Sequence, residues 1–424
     1  MSALLGLAAR SAWNRRFVLA LVVASIALST FLLLAVERIR HDVRQNFAQA
    51  VSGTDLIVGA RTGSVQLLLY SVFRIGSATN NISWRSAQAV AAMPGVAWTV
   101  PISLGDSHRG SAVVGTTGDY FRHFMHGDRQ VLSFAQGRAF GDRPEGAFEA
   151  VLGAEVARRQ GYALGQRIVL SHGDGTFAAN DHADKPFVVV GVLAPTGTPV
   201  DRSVHISLAG MQALHIDWLA GVPLPGMKLT PEQALQRDLT PRAVTALLVG
   251  LQQRTAVFSV QRRIADVRDE PLMAVLPGVA LDELWDLIGA GERALLLMSA
   301  LVAVVSVAGL VAVILAGLDQ RRRELAILRA VGAGPRTVAA LLAIEGGLVT
   351  LAGILLGVVF TAIALALAGP AVLTHYGIVL RPLSLGAAEA QWLALLAAGG
   401  LLASAVPGWR AYRIALADGL QART

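Results

Sequence analysis

The chain has 424 residues, of which 54% are hydrophobic and only 15% are charged, and its mean hydropathy is +0.54. Soluble domains carry about 25% charged residues, and the deficit here is confined to long uncharged runs that alternate with a polar stretch. This pattern excludes a uniformly apolar bundle and predicts membrane spans beside a folded polar domain. The net charge of +7 comes from arginines at the ends of hydrophobic runs, which argues against a nucleic-acid partner, and the lack of cysteine excludes disulfides and thiolate metal sites.

Four apolar runs are each long enough to cross a hydrocarbon core of about 30 Å. The predicted segments are a cytoplasmic N-terminal segment at 1–16, transmembrane helix 1 at 17–36, an extracytoplasmic α+β domain with helical stalks at 37–291, transmembrane helix 2 at 294–318, a cytoplasmic helix at 319–336, transmembrane helix 3 at 337–368, an extracytoplasmic loop at 369–386, transmembrane helix 4 at 387–406 and a cytoplasmic tail at 407–424. The first run is longer than a signal-peptide core and no small-residue cleavage site follows it, so we interpret it as an uncleaved anchor.

Arginines in the short flanks of these runs predict the orientation. They gather before the first run, between the second and third runs, and after the fourth run: Arg10, Arg15, Arg16; Arg321, Arg322, Arg323, Arg329, Arg336; Arg410, Arg413, Arg423. The loop between the third and fourth runs holds only Arg381. Because basic flanks stay in the cytoplasm, both termini and 319–336 are expected inside, and the large domain outside.

The large domain mixes helical and strand signals, each bounded by glycine, proline or aspartate. Predicted helices lie at 85–93 and 149–161, predicted strands at 112–114, 167–170 and 187–193, and stalks at about 37–50 and 279–293. The predicted fold class is therefore a membrane protein with four transmembrane α-helices and a large α+β extracytoplasmic domain between helices 1 and 2.

Histidines in this domain raise the question of a metal site. His123 and His126 would share a helix face, and His172-Gly-Asp174 lies close to Asp181-His182-Ala-Asp184. Turn-forming glycine and asparagine residues interleave with the second group, which favours a polar loop. We therefore predict no metal ligand, with metal binding as the open alternative.

No motif for catalysis is present in the sequence. Neither a G-x-S-x-G elbow nor an H-E-x-x-H helix occurs, and the two lysines, Lys185 and Lys228, are followed by proline and leucine rather than by the serine or threonine of a P-loop. We therefore expect a non-catalytic chain with no cofactor of its own.

The segment from Gln320 to Arg336 carries the most informative pattern. On a helix, Leu325, Leu328 and Gly332 line one side, while Arg322 and Arg329 line another. Such a helix lies in the inner interface of the membrane, and the glycines near 332–334 then let the chain turn into the third span. The simpler alternative is a positively charged loop that only sets the topology.

Three residues of the third span are also candidates for a role. Glu345 is an intramembrane carboxylate, for which a structural or interfacial partner is favoured over a proton relay. Gly353 and Gly357 form a small-xxx-small pair, which permits close packing within the chain or in a dimer.

Taken together, these features resemble the MacB/FtsX/LolC-type permeases, the type VII ABC transporter family. One span precedes the large domain and three follow it, and the pattern Arg321-Arg-Arg-Glu-Leu-Ala-Ile-Leu-Arg-Ala-Val-Gly-Ala333 precedes the third span. The stretch Pro407-Gly-Trp-Arg-Ala-Tyr-Arg-Ile414 is similar to the family's basic tail. The motifs Asp55–Gly59 and Ala194–Asp201 resemble a separate branch of these permeases.

The resemblance implies a MacB-like periplasmic core domain and a coupling role for 321–334. The residues expected to contact a separate ABC ATPase subunit, which binds ATP and Mg²⁺, are Arg321, Arg322, Arg323, Glu324, Leu325, Ile327, Leu328, Arg329, Gly332 and Gly334. A second permease copy or a paralogue completes the expected dimer in the lipid of the bacterial inner membrane, and a periplasmic or outer-membrane partner is left open.

The implied function is to transmit ATP-driven motion to the periplasmic domain for export or release of an envelope substrate. Two alternatives stay open at this point, an FtsX-like regulator of periplasmic cell-wall hydrolases and a membrane sensor of an external ligand.

Overall fold

In the computed structural model the described residues are 16–141, 143–173, 181–219, 222–223, 229–320, 330, 332–376, 380–384 and 386–413. They form two compact units. The membrane unit comprises the described parts of 1–42, 289–371 and 380–424, and the outer unit comprises those of 43–288 and 372–379.

The helices of both units follow in chain order. They are α1 (Arg16–Gln49), α2 (Ser64–Leu68), α3 (Trp84–Ala91), α4 (Asp119–His123), α5 (Ala154–Gln160), α6 (Leu208–Leu214), α7 (Pro231–Leu235), α8 (Val257–Ala265), α9 (Pro277–Gln320), α10 (Pro335–Tyr376) and α11 (Ala387–Arg413). A π-helical turn, Leu69–Phe73, follows α2 directly.

The strands lie in the outer unit. They are β1 (Leu56–Ala60), β2 (Ile82–Ser83), β3 (Val96–Ile102), β4 (Asp106–His108), β5 (Ser111–Thr116), β6 (Met125–His126), β7 (Gln130–Val131), β8 (Phe134–Gly137), β9 (Glu149–Leu152), β10 (Arg167–Ile168), β11 (Ser171–His172), β12 (Phe187–Leu193), β13 (Ser203–Ser207), β14 (Trp218–Leu219), β15 (Val222–Pro223), β16 (Ala243–Val244), β17 (Ala246–Leu251) and β18 (Leu272–Val275).

Four helices among the described residues, α1, α9, α10 and α11, are long and apolar enough to cross a membrane. The strands and short helices of the outer unit all lie between α1 and α9. The predicted four-span membrane protein with a large α+β domain between the first and second spans is therefore confirmed. In the membrane unit, a core that includes Leu19, Ile26, Leu310, Leu342 and Leu396 is built from side chains of all four helices.

Two larger sheets organise the outer unit. The small sheet has the antiparallel order β18-β1-β17-β3, and every residue of β1 is buried in it. The large sheet has the mixed order β10-β12-β9-β13-β5-β4-β11, with β8 added on β12, and its β12/β9 and β13/β5 pairs are parallel. The chain leads from α1 into β1 and from β18 into α9, and β1 and β18 are neighbours in the small sheet.

The predicted helix at 149–161 is wrong in its first part. Residues Glu149–Leu152 form β9, which pairs with β12 on one side and β13 on the other, and the helix begins only at Ala154. Gly153 separates the two elements at a close approach, since a Cβ atom there would lie 2.2 Å from the Val200 carbonyl oxygen. The paired, buried strand therefore overrides the local helical pattern.

The motif at 194–201 forms a tight turn ahead of β13. The Asp201 carboxylate accepts hydrogen bonds from the backbone nitrogens of Thr196 and Gly197 and from the Thr196 hydroxyl, all at 2.8 to 3.0 Å. This network gives the aspartate a structural role, because side-chain bonds to nearby backbone nitrogens stabilise turns.

Candidate functional site

Most of the predicted coupling residues lie outside the described part of the chain. This applies to Arg321, Arg322, Arg323, Glu324, Leu325, Ile327, Leu328 and Arg329. Of the other two, Gly332 is in the left-handed region with φ of +104°. Gly334 accepts a backbone hydrogen bond from Thr337 at 2.9 Å in the first turn of α10. The glycines thus stand where the chain enters the third span.

The glycine pair of the third span faces the first span of the same chain. A Cβ atom on Gly353 would lie 2.7 Å from the Cβ of Ile26, and one on Gly357 would lie 2.5 Å from the Cβ of Thr30. Only a residue without a side chain permits this separation of α1 and α10. Glu345, on the same helix, is 4% exposed and takes part in a polar or electrostatic contact of its own.

The first span is also joined to the second by a serine cluster. Ser306 of α9 lies 2.9 Å from the hydroxyl of Ser25 and 2.6 Å from that of Ser29, oxygen to oxygen. Ser29 and Ser306 are buried, so their hydroxyls are satisfied inside the helix pair. Short hydroxyl side chains allow both the close approach and the hydrogen bonds.

At its outer end, the membrane-unit part of α1 is held by an ion pair and by the segment before α11. Arg38 donates from Nη2 to the Pro382 carbonyl at 3.0 Å and from Nη1 to the Ser384 hydroxyl at 3.1 Å. Its Nε lies 3.3 Å from Oδ2 of Asp42, which also accepts from the Arg381 backbone nitrogen. Arg38 and Asp42 are both buried, so this clamp is a desolvated polar contact. We call these residues the outer clamp.

A cluster of three histidines and one aspartate lies in the outer unit. Asp106 on β4 and His172 on β11 stand directly opposite each other in the strand pair, His182 follows β11, and His215 ends α6. One potential ligand atom from each residue lies within 4.8 Å of those of the other three. We call Asp106, His172, His182 and His215 the histidine cluster.

Burial and neighbouring charges shift the pKa values of residues in the histidine cluster. Burial would raise the pKa of Asp106, but the hydrogen bonds from His172 and His215 outweigh it and lower that pKa to about 2. Burial lowers the pKa of His182 to about 4. Burial likewise acts to lower the pKa of His215, but the adjacent Asp106 carboxylate raises it overall. The site therefore presents a carboxylate and a neutral His182 at neutral pH.

The other predicted histidine pair is not brought together. Helix α4 ends at His123, Phe124 adopts an extended conformation, and His126 lies in β6. The expectation that His123 and His126 share a helix face is therefore wrong, because the helix stops between them. The His123 ring instead stacks on Trp98 at 4.9 Å between centroids.

Two members of the histidine cluster could not be found from the local sequence. Asp106 and His215 are far from His172 and His182 along the chain, and only strand pairing and the packing of α6 bring them in. Trp218 covers the group, with ring centroids 5.2, 4.7 and 5.6 Å from those of His172, His182 and His215. Asp174, from the predicted polar loop, lies outside the described residues.

A cavity of about 510 Å³ in the outer unit was also unexpected from the sequence. Its lining includes Arg74, Arg109, Arg159 and Arg202, with Glu155 as the acidic member. Burial lowers the pKa of Arg74, which lies against Tyr120. The excess of guanidinium groups makes the cavity electropositive.

Two family models together cover most of the chain. Residues 18–267 match the MacB-like periplasmic core domain, and residues 296–416 match the FtsX-like permease C-terminal domain. No curated protein matches the chain.

Among solved structures, the chain is similar to the periplasmic region of MacB from Actinobacillus actinomycetemcomitans, with 11% identity and a TM-score of 0.35 over 57% of this chain and 96% of that one. It is also similar to the extracellular domain of the noncanonic ABC-type transporter YknZ from Gram-positive bacteria, with 12% identity and a TM-score of 0.30 over 53% of this chain and 98% of that one.

Proposed function

Because this chain belongs to the MacB/FtsX-type ABC permease family, we propose that it transmits ATP-driven motion from a separate ATPase subunit to its outer domain. The family is a non-catalytic permease type that works as a dimer with an ABC ATPase, so the chain is a permease component of an ABC transporter. The proposed transmission of motion is supported above all by the match to the FtsX-like permease C-terminal domain, because this match includes the segment between α9 and α10.

In this proposal the residues from Arg321 to Gly334 dock on the ATPase, which binds ATP and Mg²⁺. The segment carries arginines and Glu324 beside an aliphatic stripe, a surface that offers both charge complementarity and apolar burial to a partner. It directly connects α9 to α10, so a force applied there reaches two spans at once.

Contacts inside the membrane unit support the transmission of such a force. Helix α1 is held to α9 by the serine cluster and to α10 by Gly353 and Gly357. Helix α10 is held to α11 by Gly400, where a Cβ atom would lie 2.4 Å from the Thr350 hydroxyl. Close contacts of this kind make neighbouring helices move together rather than slide.

We further propose the bacterial inner membrane as the location, with the outer domain in the periplasm, and export or release of an envelope substrate as the task. The match of 18–267 to the MacB-like core does not favour an FtsX-like regulator of cell-wall hydrolases. The remaining alternative is a sensor of an external ligand. The two hypotheses differ in their partner, because only a transporter needs an ATPase.

Co-purification from the native membrane tests this proposal. The tagged chain is expected to bring down a P-loop ATPase in stoichiometric amount, whereas Glu324→Lys and Leu328→Asp are expected to insert normally and lose it. Asp418→Lys is the matched control, since it makes the same charge reversal in the tail. Unchanged co-purification of the two segment variants, or no ATPase with the intact chain, would contradict the coupling role.

A further inference from the structure

We infer that the histidine cluster of the outer unit, Asp106, His172, His182 and His215, is a binding site for a divalent transition-metal ion of the zinc class. The inference rests on the geometry of these four side chains and is independent of the proposed coupling function.

The spacing of the four ligand atoms fits a tetrahedral ion. Oδ1 of Asp106 lies 3.0 Å from Nδ1 of His172, 3.3 Å from Nε2 of His215 and 3.9 Å from Nε2 of His182. The ligand nitrogens of His172 and His215 are 3.1 Å apart. Four ligand atoms about 2.1 Å from a zinc ion at tetrahedral angles lie about 3.4 Å from each other, which is inside the range of these four distances. The other two pairs, from His182 to the other histidines, lie within 4.8 Å.

Hydrogen bonds alone do not satisfy the group. Nδ1 of His215 lies 3.1 Å from the Met211 carbonyl and must donate to it, so Nε2 of the neutral ring presents a lone pair to the cluster. With His215 in this neutral form, one proton on His172 would have to serve both Asp106 and His215. His182 is 1% exposed, and its Nε2 has no hydrogen-bond partner within the described residues. A cation satisfies all four atoms at once.

The surroundings have the features of a metal site. The bond from His215 to the Met211 carbonyl fixes the tautomer that exposes Nε2, as a backbone carbonyl does for many ligating histidines. Trp218 covers three of the rings and limits access of water. The nearby buried Lys185 is paired with Asp217, with Nζ 2.7 and 2.8 Å from the two carboxylate oxygens, so the carboxylate offsets much of its charge.

The ligand set also limits which ion and which role are expected. Three imidazoles and one carboxylate suit zinc and its neighbours, whereas magnesium and calcium prefer oxygen ligands. Four protein ligands fill a tetrahedral shell, which is the arrangement of sites that hold an ion rather than activate water. The ion would connect β4, the region after β11 and the end of α6.

Zinc binding by the full-length chain tests this inference. The protein is purified in detergent with a tag that contains no histidine, stripped with a chelator, and titrated with zinc alone and with magnesium alone. We expect one zinc per chain and no comparable magnesium binding. Cobalt is then used as a spectroscopic probe, and a four-coordinate visible spectrum is expected.

Two double variants distinguish zinc binding at the histidine cluster from zinc binding by histidines elsewhere in the chain. His172→Ala with His215→Ala removes the two partly exposed ligands, and at least about 100-fold weaker zinc binding is expected, since even partners of the ligands are worth 10 to 100-fold. His123→Ala with His126→Ala removes the same number of histidines elsewhere and should bind as the unaltered chain does. Asp106→Asn, which keeps the side-chain shape, serves as a second test of the site and is expected to bind zinc more weakly.

The inference is overturned by any of three results. These are less than one tightly bound zinc in the unaltered chain, equal affinity of the His172/His215 variant and its His123/His126 control, or a six-coordinate cobalt spectrum.

Discussion

Breaking the outer clamp is expected to destabilise the membrane unit strongly. The Arg38 guanidinium and the Asp42 carboxylate are 3.3 Å apart, and their side chains are 5% and 0% exposed. Asp42→Leu removes the carboxylate but leaves the guanidinium buried against the neutral oxygens of Pro382 and Ser384. Removing one partner of a buried ion pair costs about 3–5 kcal/mol, and the two remaining acceptors of Arg38 place the expected loss at about 3 kcal/mol.

The double variant gives the decisive comparison. Arg38→Met with Asp42→Leu leaves no buried charge, so it is expected to be more stable than Asp42→Leu alone, because replacing both members of a buried pair by apolar groups is often neutral. The free energy of unfolding is measured for the unaltered chain, both single variants and the double variant by SDS titration in mixed micelles. A coupling energy of about 1–3 kcal/mol is expected from the cycle. Additive losses, with the double variant as the least stable, would refute the reasoning.

Two further predictions concern packing and pH. Gly357→Leu is expected to cost about 1–3 kcal/mol in the same titration, because a Cβ atom there would lie 2.5 Å from the Cβ of Thr30. Gly309→Leu is the control and should change stability little, because there is open space around Gly309. Equal losses in the two variants would contradict the α1–α10 contact. Burial, assisted by the charge of Arg74, lowers the pKa of His205 to about 3. In the unfolded chain this histidine has an ordinary pKa of about 6.5, so between about pH 3 and 6.5 the unfolded chain binds more protons than the folded chain. The contribution of His205 to stability is therefore fully present above about pH 6.5 and falls by about 1.4 kcal/mol for each pH unit below that. His205→Phe should reduce the slope of unfolding temperature against pH between about 6.5 and 4, and an unchanged slope would contradict this.

The membrane part of the fold was predictable because a single physical requirement dominates it. Spans need long uncharged runs, and the runs in this sequence correspond to α1, α9, α10 and α11. The small-xxx-small spacing of Gly353 and Gly357 indicated a close contact, although only the structure shows that the partner is α1. The outer clamp was not predicted, since Arg38 and Pro382 are distant in sequence.

The outer unit was less predictable because its contacts are non-local. Strand β12 coincides with the predicted run at 187–193, whose continuous apolar character is typical of a central strand. By contrast, the residues of β9 carry a pattern compatible with a helix, and its two neighbouring strands decide the outcome. The histidine cluster needed the same kind of information, because the register of β4 and β11 places Asp106 opposite His172.

The proposed zinc site and the stalks connect to different sheets of the outer unit. The stalks lead into β1 and β18 of the small sheet, and Phe47 packs on Trp285 at 5.5 Å between ring centroids. The histidine cluster lies at β4 and β11 of the large sheet. Reciprocal backbone hydrogen bonds of 2.8 Å between Ser103 and Gly115 connect the two sheets.

This arrangement bears on what a bound ion would do. The histidine cluster lies at β4 and β11, at one edge of the large sheet, so a bound ion would strengthen that edge. An ion shifts an equilibrium between two positions only if it binds one of them more tightly. Asp106 and His172 lie in the large sheet, His182 follows β11 and His215 caps the end of α6, so none of the four lies on α1, β1 or β18. Zinc is therefore expected to stabilise the outer domain, whereas the proposed ATP-driven movement is expected to enter through the segment between α9 and α10.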